Sequence, residues 1–234
     1  KVPLEYEPGT YGGDKALAER AIFRASHQYR WPATVFRPHA VFGPFGANQA
    51  LYVFRRLSAE EQPLIRPESV GKRTNFLWVQ DFVDCMLAAI GESRTFGEAF
   101  NVAGPEVCAP HKFSRVAGEV CGSNAVPLVI ERRIASRLPS LGLAWSTYDL
   151  FPRTEKVTKN IVAAHTSLAD GLERVLAWAR SEPRWLQPSP QRWEQQAVRG
   201  KVPSRGIEFY WWLQDDALRA VRLASRIYRR GRFS

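Results

Sequence analysis

Short apolar runs bounded by Gly and Pro alternate with longer amphipathic stretches through the first 130 residues, and this alternation constrains the fold more than any other feature. Tyr11, Lys15, Ala18, Ile22, Ala25 and Tyr29 recur at helical spacing, so residues 10–30 read as a helix. Pro32 forces an extended entry into a short strand, Ala33 to Arg37, which Pro38 ends. Residues 41–46 read as a turn-rich loop, 48–61 as a helix and 75–79 as a strand. Asp81 is the expected N-cap of a helix reaching Ile90, with Gly91 as its stop. A strand at 100–103, a turn at Gly104-Pro105, a helix at 110–121 closed by Gly122 and a strand at 126–131 follow. Strand and helix alternate, which predicts an α/β class with parallel pairing.

Beyond residue 131 the pattern weakens until a helix from Leu168 to Arg180, with Thr166 or Ser167 as cap and Asp170 in its first turn. Residues 183–206 carry four prolines and read as a linker or wrapping segment. A last helix is expected at 215–230, acidic at its start and arginine-rich at its end. The net charge is +10, and residues 192–234 supply +6 of it, with ten basic against four acidic side chains. The charge therefore marks the tail rather than the whole chain. The tail reads either as a helix docked on the body or as an anionic-membrane or polyanion contact through residues 205–234. No run of about 18 apolar residues suggests a membrane span. Three scattered cysteines, Cys85, Cys108 and Cys121, form neither a disulfide framework nor a metal motif and fit a reducing cytoplasm. The one methionine is Met86 and residue 1 is Lys, so the chain is expected to be the later part of a longer protein.

The chemistry sits in Tyr11-Gly-Gly-Asp-Lys15. Tyr and Lys four apart on a helix point the same way, and a cation beside a phenol favours the phenolate. Such a phenol can take a proton from an alcohol while hydride leaves the same carbon. After this segment come Arg37-Pro-His-Ala-Val-Phe-Gly-Pro44, then Asn75-Phe-Leu-Trp-Val-Gln-Asp81, then Phe100-Asn-Val-Ala-Gly104. In this order and spacing the four blocks resemble the second half of the extended short-chain dehydrogenase/reductase family, most of all its NAD-dependent epimerase/dehydratase branch. The resemblance covers about residues 5–180, and Thr166 to Trp178 looks like that family's closing helix.

The resemblance implies the C-terminal part of a Rossmann-like doubly wound parallel sheet with a smaller α/β substrate-binding domain. Residues 1–44 would belong to the Rossmann-like part, 45–182 to the substrate-binding region with interleaved Rossmann elements, and 183–234 to the linker and basic helix. It implies that Tyr11 is the catalytic acid or base and that Lys15 holds the nicotinamide ribose. Pro38, His39, Ala40 and Val41 would lie along the nicotinamide of NAD or NADP. Ala40, Asn48 and Arg73 would face the substrate, with Arg73 on a diphosphate. The implied activity is epimerase or dehydratase chemistry on a nucleotide sugar in a cytoplasmic enzyme. Family members commonly pair through the Tyr-Lys helix, which implies a homodimer.

Three departures stand beside this. The glycine-rich dinucleotide loop and its acidic partner are absent, and Gly9 to Gly13 has no preceding strand. The catalytic Ser or Thr that precedes the Tyr has no counterpart within the ten residues before Tyr11. Ala40 stands where sugar-nucleotide epimerases often carry Asn. The chain alone is therefore expected to bind NAD poorly. The third departure keeps a sterol- or flavonoid-type reductase open as an alternative, and the basic tail keeps an RNA- or polyanion-binding relative open as another. His39 reads more simply as a hydrogen-bonded strand-end residue, Asp81 and Asp84 as capping and surface carboxylates, and Asn101 as a structural amide. His27, His111 and His165 have no metal-like spacing, and no metal is expected.

Overall fold

A computed structural model of the chain describes residues 9–45, 49–130 and 149–186. Asn48, the expected strand end at Glu131, the linker beyond residue 186 and the basic 215–230 helix lie outside the described residues.

Helix α1 (Tyr11–Tyr29) starts where Thr10 accepts the Gly13 N–H on its side chain at 3.0 Å. Asp14 reaches back to the Gly9 N–H at 3.0 Å, so side chains satisfy donors on both sides of the helix start. Gly12 and Gly13 are helical, which removes them from any phosphate-binding loop. The buried residues of α1 are Gly13, Ala16 and Glu19. The row expected from periodicity faces outward instead, with Tyr29 70% and Ile22 39% exposed. The small Gly13 and Ala16 let the helix approach the body closely, and Glu19 is drawn in by an ion pair with Arg37.

Strand β1 (Thr34–Pro38) runs parallel to β6 (Glu98–Val102), with Phe36 opposite Phe100. The expected loop after Pro38 holds a two-residue strand, β2 (Val41–Phe42), parallel to β5 (Leu77–Trp78). Helix α2 is Gln49–Ser58. Strand β3 (Leu64–Ile65) pairs in parallel with β8 (Leu128–Val129), and β4 (Thr74–Asn75) pairs antiparallel with β7 (Val107–Cys108). The single strand expected at 75–79 is thus split at Phe76 between two sheets. Helix α3 (Val79–Ala89) begins earlier than expected, with Trp78 as N-cap and Asp81 inside the first turn. Helix α4 (Pro110–Cys121) has Pro at N1 and ends on Gly122 at φ 73°, as the sequence predicts. Helix α5 (Glu155–Asn160) fills part of the stretch that had no clear pattern, and α6 is Leu168–Ser181. The Ser167 hydroxyl caps α6 by accepting the Asp170 N–H at 3.1 Å.

Among the described residues three of the four strand pairs are parallel, which bears out the α/β class. Successive side chains of β5 point to opposite faces. Leu77 enters a core with Cys85, Phe100, Val102 and Val157, while Trp78 enters a larger one with Phe42, Phe54, Phe113, Leu172 and Val175. Two motif glycines are explained by this packing. A Cβ on Gly171 of α6 would lie 2.5 Å from the Phe42 ring, and one on Gly104 would lie 1.9 Å from the Phe76 carbonyl oxygen. Both sites therefore require hydrogen where other residues carry a side chain.

Candidate active site

Tyr11 opens α1 and is 82% exposed. One helical turn on, the Lys15 ammonium lies 5.6 Å from the centre of the Tyr11 ring, within cation–π range. The two side chains are together and open to solvent, and neither hydrogen-bonds another described residue.

The Glu19–Arg37 pair fixes the relation of this helix to the end of β1. Arg37 Nε donates to Glu19 Oε2 at 2.8 Å, and Nη2 donates to Oε1, a two-pronged contact between α1 and β1. Pro38 and His39 lie at the carboxyl end of β1, where ligands bind in open α/β sheets. The His39 N–H donates to Val102 O at 2.9 Å, and the Ala40 carbonyl accepts the Leu77 N–H at 3.2 Å. These two backbone groups are spent on the fold. The Ala40 N–H bonds no other described residue and remains as a donor at this edge. Ala40 sits at φ 43°, a left-handed conformation that Gly or Asn adopts more readily.

The His39 ring is part of a chain of hydrogen bonds. Its Nε2 lies 2.6 Å from Thr74 Oγ1, and Thr74 Oγ1 is 3.0 Å from Leu150 O. Assigning the hydroxyl proton to Leu150 leaves Thr74 to accept from a protonated Nε2. Burial holds the His39 pKa below the ordinary histidine value, against an opposing pull from the Leu150 backbone. The bland reading of His39 as a hydrogen-bonded strand-end residue fits this geometry.

Arg73 immediately precedes β4 and is exposed. Its Nη2 is 3.6 Å from Asp149 Oδ2, and its guanidinium lies 5.3 Å from the Phe151 ring. Leu150 pairs with Thr74 beside it, so residues 149–151 form a strap along β4. Asn101 donates to Arg153 O at 3.3 Å, which ties the same strap to β6. The structure therefore brings Arg73 and His39 into one cluster through Thr74, and Tyr11 and Lys15 into another. Arg37 and Glu19 link the elements that carry them. Sequence reasoning missed Thr74, Asp149 and Phe151, which have no motif of their own.

Asp81 is not the cap it was expected to be. Its side chain is 2% exposed and accepts the His165 and Thr166 N–H groups, each at 2.9 Å, and the Thr166 hydroxyl at 2.6 Å. It locks the entry of α6 onto α3. Asp84, by contrast, accepts from Gln80 one turn before it, at 2.8 Å, and stays on the surface as expected. Among the described residues no cluster of His, Cys, Asp and Glu could hold a metal, and no helix is long and apolar enough to cross a membrane.

Residues 2–103 match the model of the NAD dependent epimerase/dehydratase family. No curated protein matches the sequence. Among solved structures, the Bordetella bronchiseptica enzyme WbmF, in complex with NAD+ and UDP, is similar at 16% identity and TM-score 0.63 over 80% of this chain and 57% of that one. The UDP-glucuronic acid 4-epimerase of Bacillus cereus, in complex with NAD, matches at 16% identity and TM-score 0.63 over 77% and 56%. The dTDP-glucose 4,6-dehydratase of Bacillus anthracis, in complex with NAD, matches at 13% identity and TM-score 0.61 over 77% and 54%. The chain thus spans a little over half the length of these structures. The family model thus falls on the segment that holds the sequence blocks beginning at Tyr11, and the likeness to these solved structures shows a Rossmann-like α/β fold.

Proposed function

We propose that the whole protein is an NAD(P)-dependent epimerase or dehydratase acting on a hydroxylated substrate of the nucleotide-sugar class. The observation that carries this reading is the exposed Tyr11 phenol with the Lys15 ammonium against its ring, at the start of the helix that Glu19 ties to β1. In this reading Tyr11 moves a proton to and from the substrate hydroxyl. Lys15 holds the ribose hydroxyls and keeps positive charge beside the phenol. NAD or NADP, when bound, takes up and returns the hydride. The Ala40 N–H, left free by the fold, fits a carboxamide acceptor along the His39–Val41 edge. Arg73 and Ala40 face the substrate, and Asn48 is assigned to it by sequence alone. A homodimer through the outward face of α1 and a cytoplasmic setting belong to the same proposal.

Binding of NAD to the whole protein tests the reading. A Lys15→Met variant should bind NAD about tenfold more weakly, the loss of one or two charge-assisted hydrogen bonds. Equal binding by wild type and variant would remove Lys15 from the site.

One observation favours a second reading, a reductase of sterol or flavonoid type with an uncharged substrate. Arg73 already carries a carboxylate of its own chain, and Ala40 offers no side-chain amide. Turnover of UDP-sugars against neutral ketones separates the two.

A further inference from the structure

Arg73 already holds an anion. Asp149 Oδ2 lies 3.6 Å from its Nη2, and Asp149 Oδ1 accepts the Arg73 backbone N–H at 2.9 Å. The Leu150 N–H donates to Arg73 O at 2.9 Å, and Phe151 places its ring beside the guanidinium. The strap therefore engages Arg73 through both its backbone and its side chain. The Arg73 N–H and guanidinium both favour the ionised carboxyl and hold Asp149 below the usual carboxylate range. An arginine binds a phosphate or carboxylate best with two N–H groups on one edge, and Asp149 competes for that edge. The side chains of Arg73 and Asp149 are 55% and 46% exposed. Such a pair is held weakly enough for a dissolved anion to exchange with it.

We propose that Asp149 is a specificity-determining residue whose carboxylate competes with the anionic group of an incoming substrate for Arg73. A substrate with a diphosphate must displace Asp149 to gain Arg73, whereas an uncharged one leaves the pair intact. The proposal rests on Arg73 facing the substrate, as set out above.

The test uses inorganic pyrophosphate as the probe, titrated calorimetrically into the full chain at low ionic strength. Asp149→Asn keeps an oxygen for the Arg73 N–H and removes only the charge. It should tighten pyrophosphate binding about threefold or more, the scale of an exposed pair. The gain should shrink at about 0.5 M salt, where exposed charges are screened. It should vanish when Arg73→Gln is added. Asp149→Ser, a short acceptor without charge, should show the same gain, and thermal melting establishes that each variant folds. Unchanged, weaker or unmeasurable binding in both Asp149 variants overturns the proposal, as does a gain that persists without Arg73. Pyrophosphate binding requires neither cofactor nor turnover. Failure here leaves the Tyr11–Lys15 reading standing, and failure of that reading leaves the competition at Arg73 measurable.

Discussion

Replacing Asp81 should do more damage to the fold than replacing any other carboxylate described here. Its two oxygens take three hydrogen bonds, from the His165 and Thr166 N–H groups and the Thr166 hydroxyl, at a side chain only 2% exposed. Asp81→Ala leaves those donors facing a space with no acceptor. A hydrogen bond to a charged acceptor is worth about 1.5–3 kcal/mol, and the three are not additive, so the expected loss is about 3–5 kcal/mol. Asp81→Asn keeps one acceptor oxygen and turns an NH2 toward the Thr166 hydroxyl, so about 1–2 kcal/mol is expected. Thr166→Ala removes one partner and should cost a similar amount. Urea titration followed by far-UV circular dichroism reads all three. Amide exchange should show α6 opening first in the Asp81→Ala variant, because Asp81 anchors the entry of that helix. A loss within about 1 kcal/mol for Asp81→Ala would refute the lock, since ordinary surface substitutions fall in that range.

Other outcomes follow from the same geometry. Ala40→Gly should raise stability by about 0.5–1 kcal/mol in a melting curve, because a left-handed φ suits glycine. Gly104→Ala should lower it by at least about 2 kcal/mol, since the new methyl meets the Phe76 carbonyl. Burial holds His39 more neutral than it is in the unfolded chain, so its contribution to stability is fullest above the unfolded histidine pKa and is lost as pH falls below it toward the folded value. His39→Gln should flatten that part of a melting-temperature profile between about pH 8 and 5. Burial pushes the Cys85 thiol up to about 11 and Cys108 to about 12, so a thiol reagent at about pH 8 should label neither until the chain unfolds.

Much of the fold was legible because helix and strand leave different periods and because Gly and Pro punctuate them. Helix α4 was bounded correctly by Pro110 and Gly122, whose backbone preferences are local. The burial of α1 was not legible. Periodicity favoured the Tyr11–Tyr29 row, but the buried face is Gly13, Ala16 and Glu19, chosen by close approach and by an ion pair to Arg37 eighteen residues away. The strand at 75–79 was read as one element because both halves are extended. Only tertiary pairing divides it at Phe76. Asp81 looked like a cap because its partners, 84 and 85 residues on, carry no local signal. In the candidate site, Tyr11 and Lys15 were visible because they lie one turn apart on one helix. The Thr74 and Asp149 contacts arise between distant segments.

In the proposed reaction the Tyr11 phenol carries the proton. Tyr11→Phe in the whole protein removes only that hydroxyl from a position that is already exposed. NAD binding should persist within a few fold, while kcat should fall by about 10²–10⁴, the usual contribution of a positioned acid or base. A variant that turns substrate over at the wild-type rate would contradict the claim.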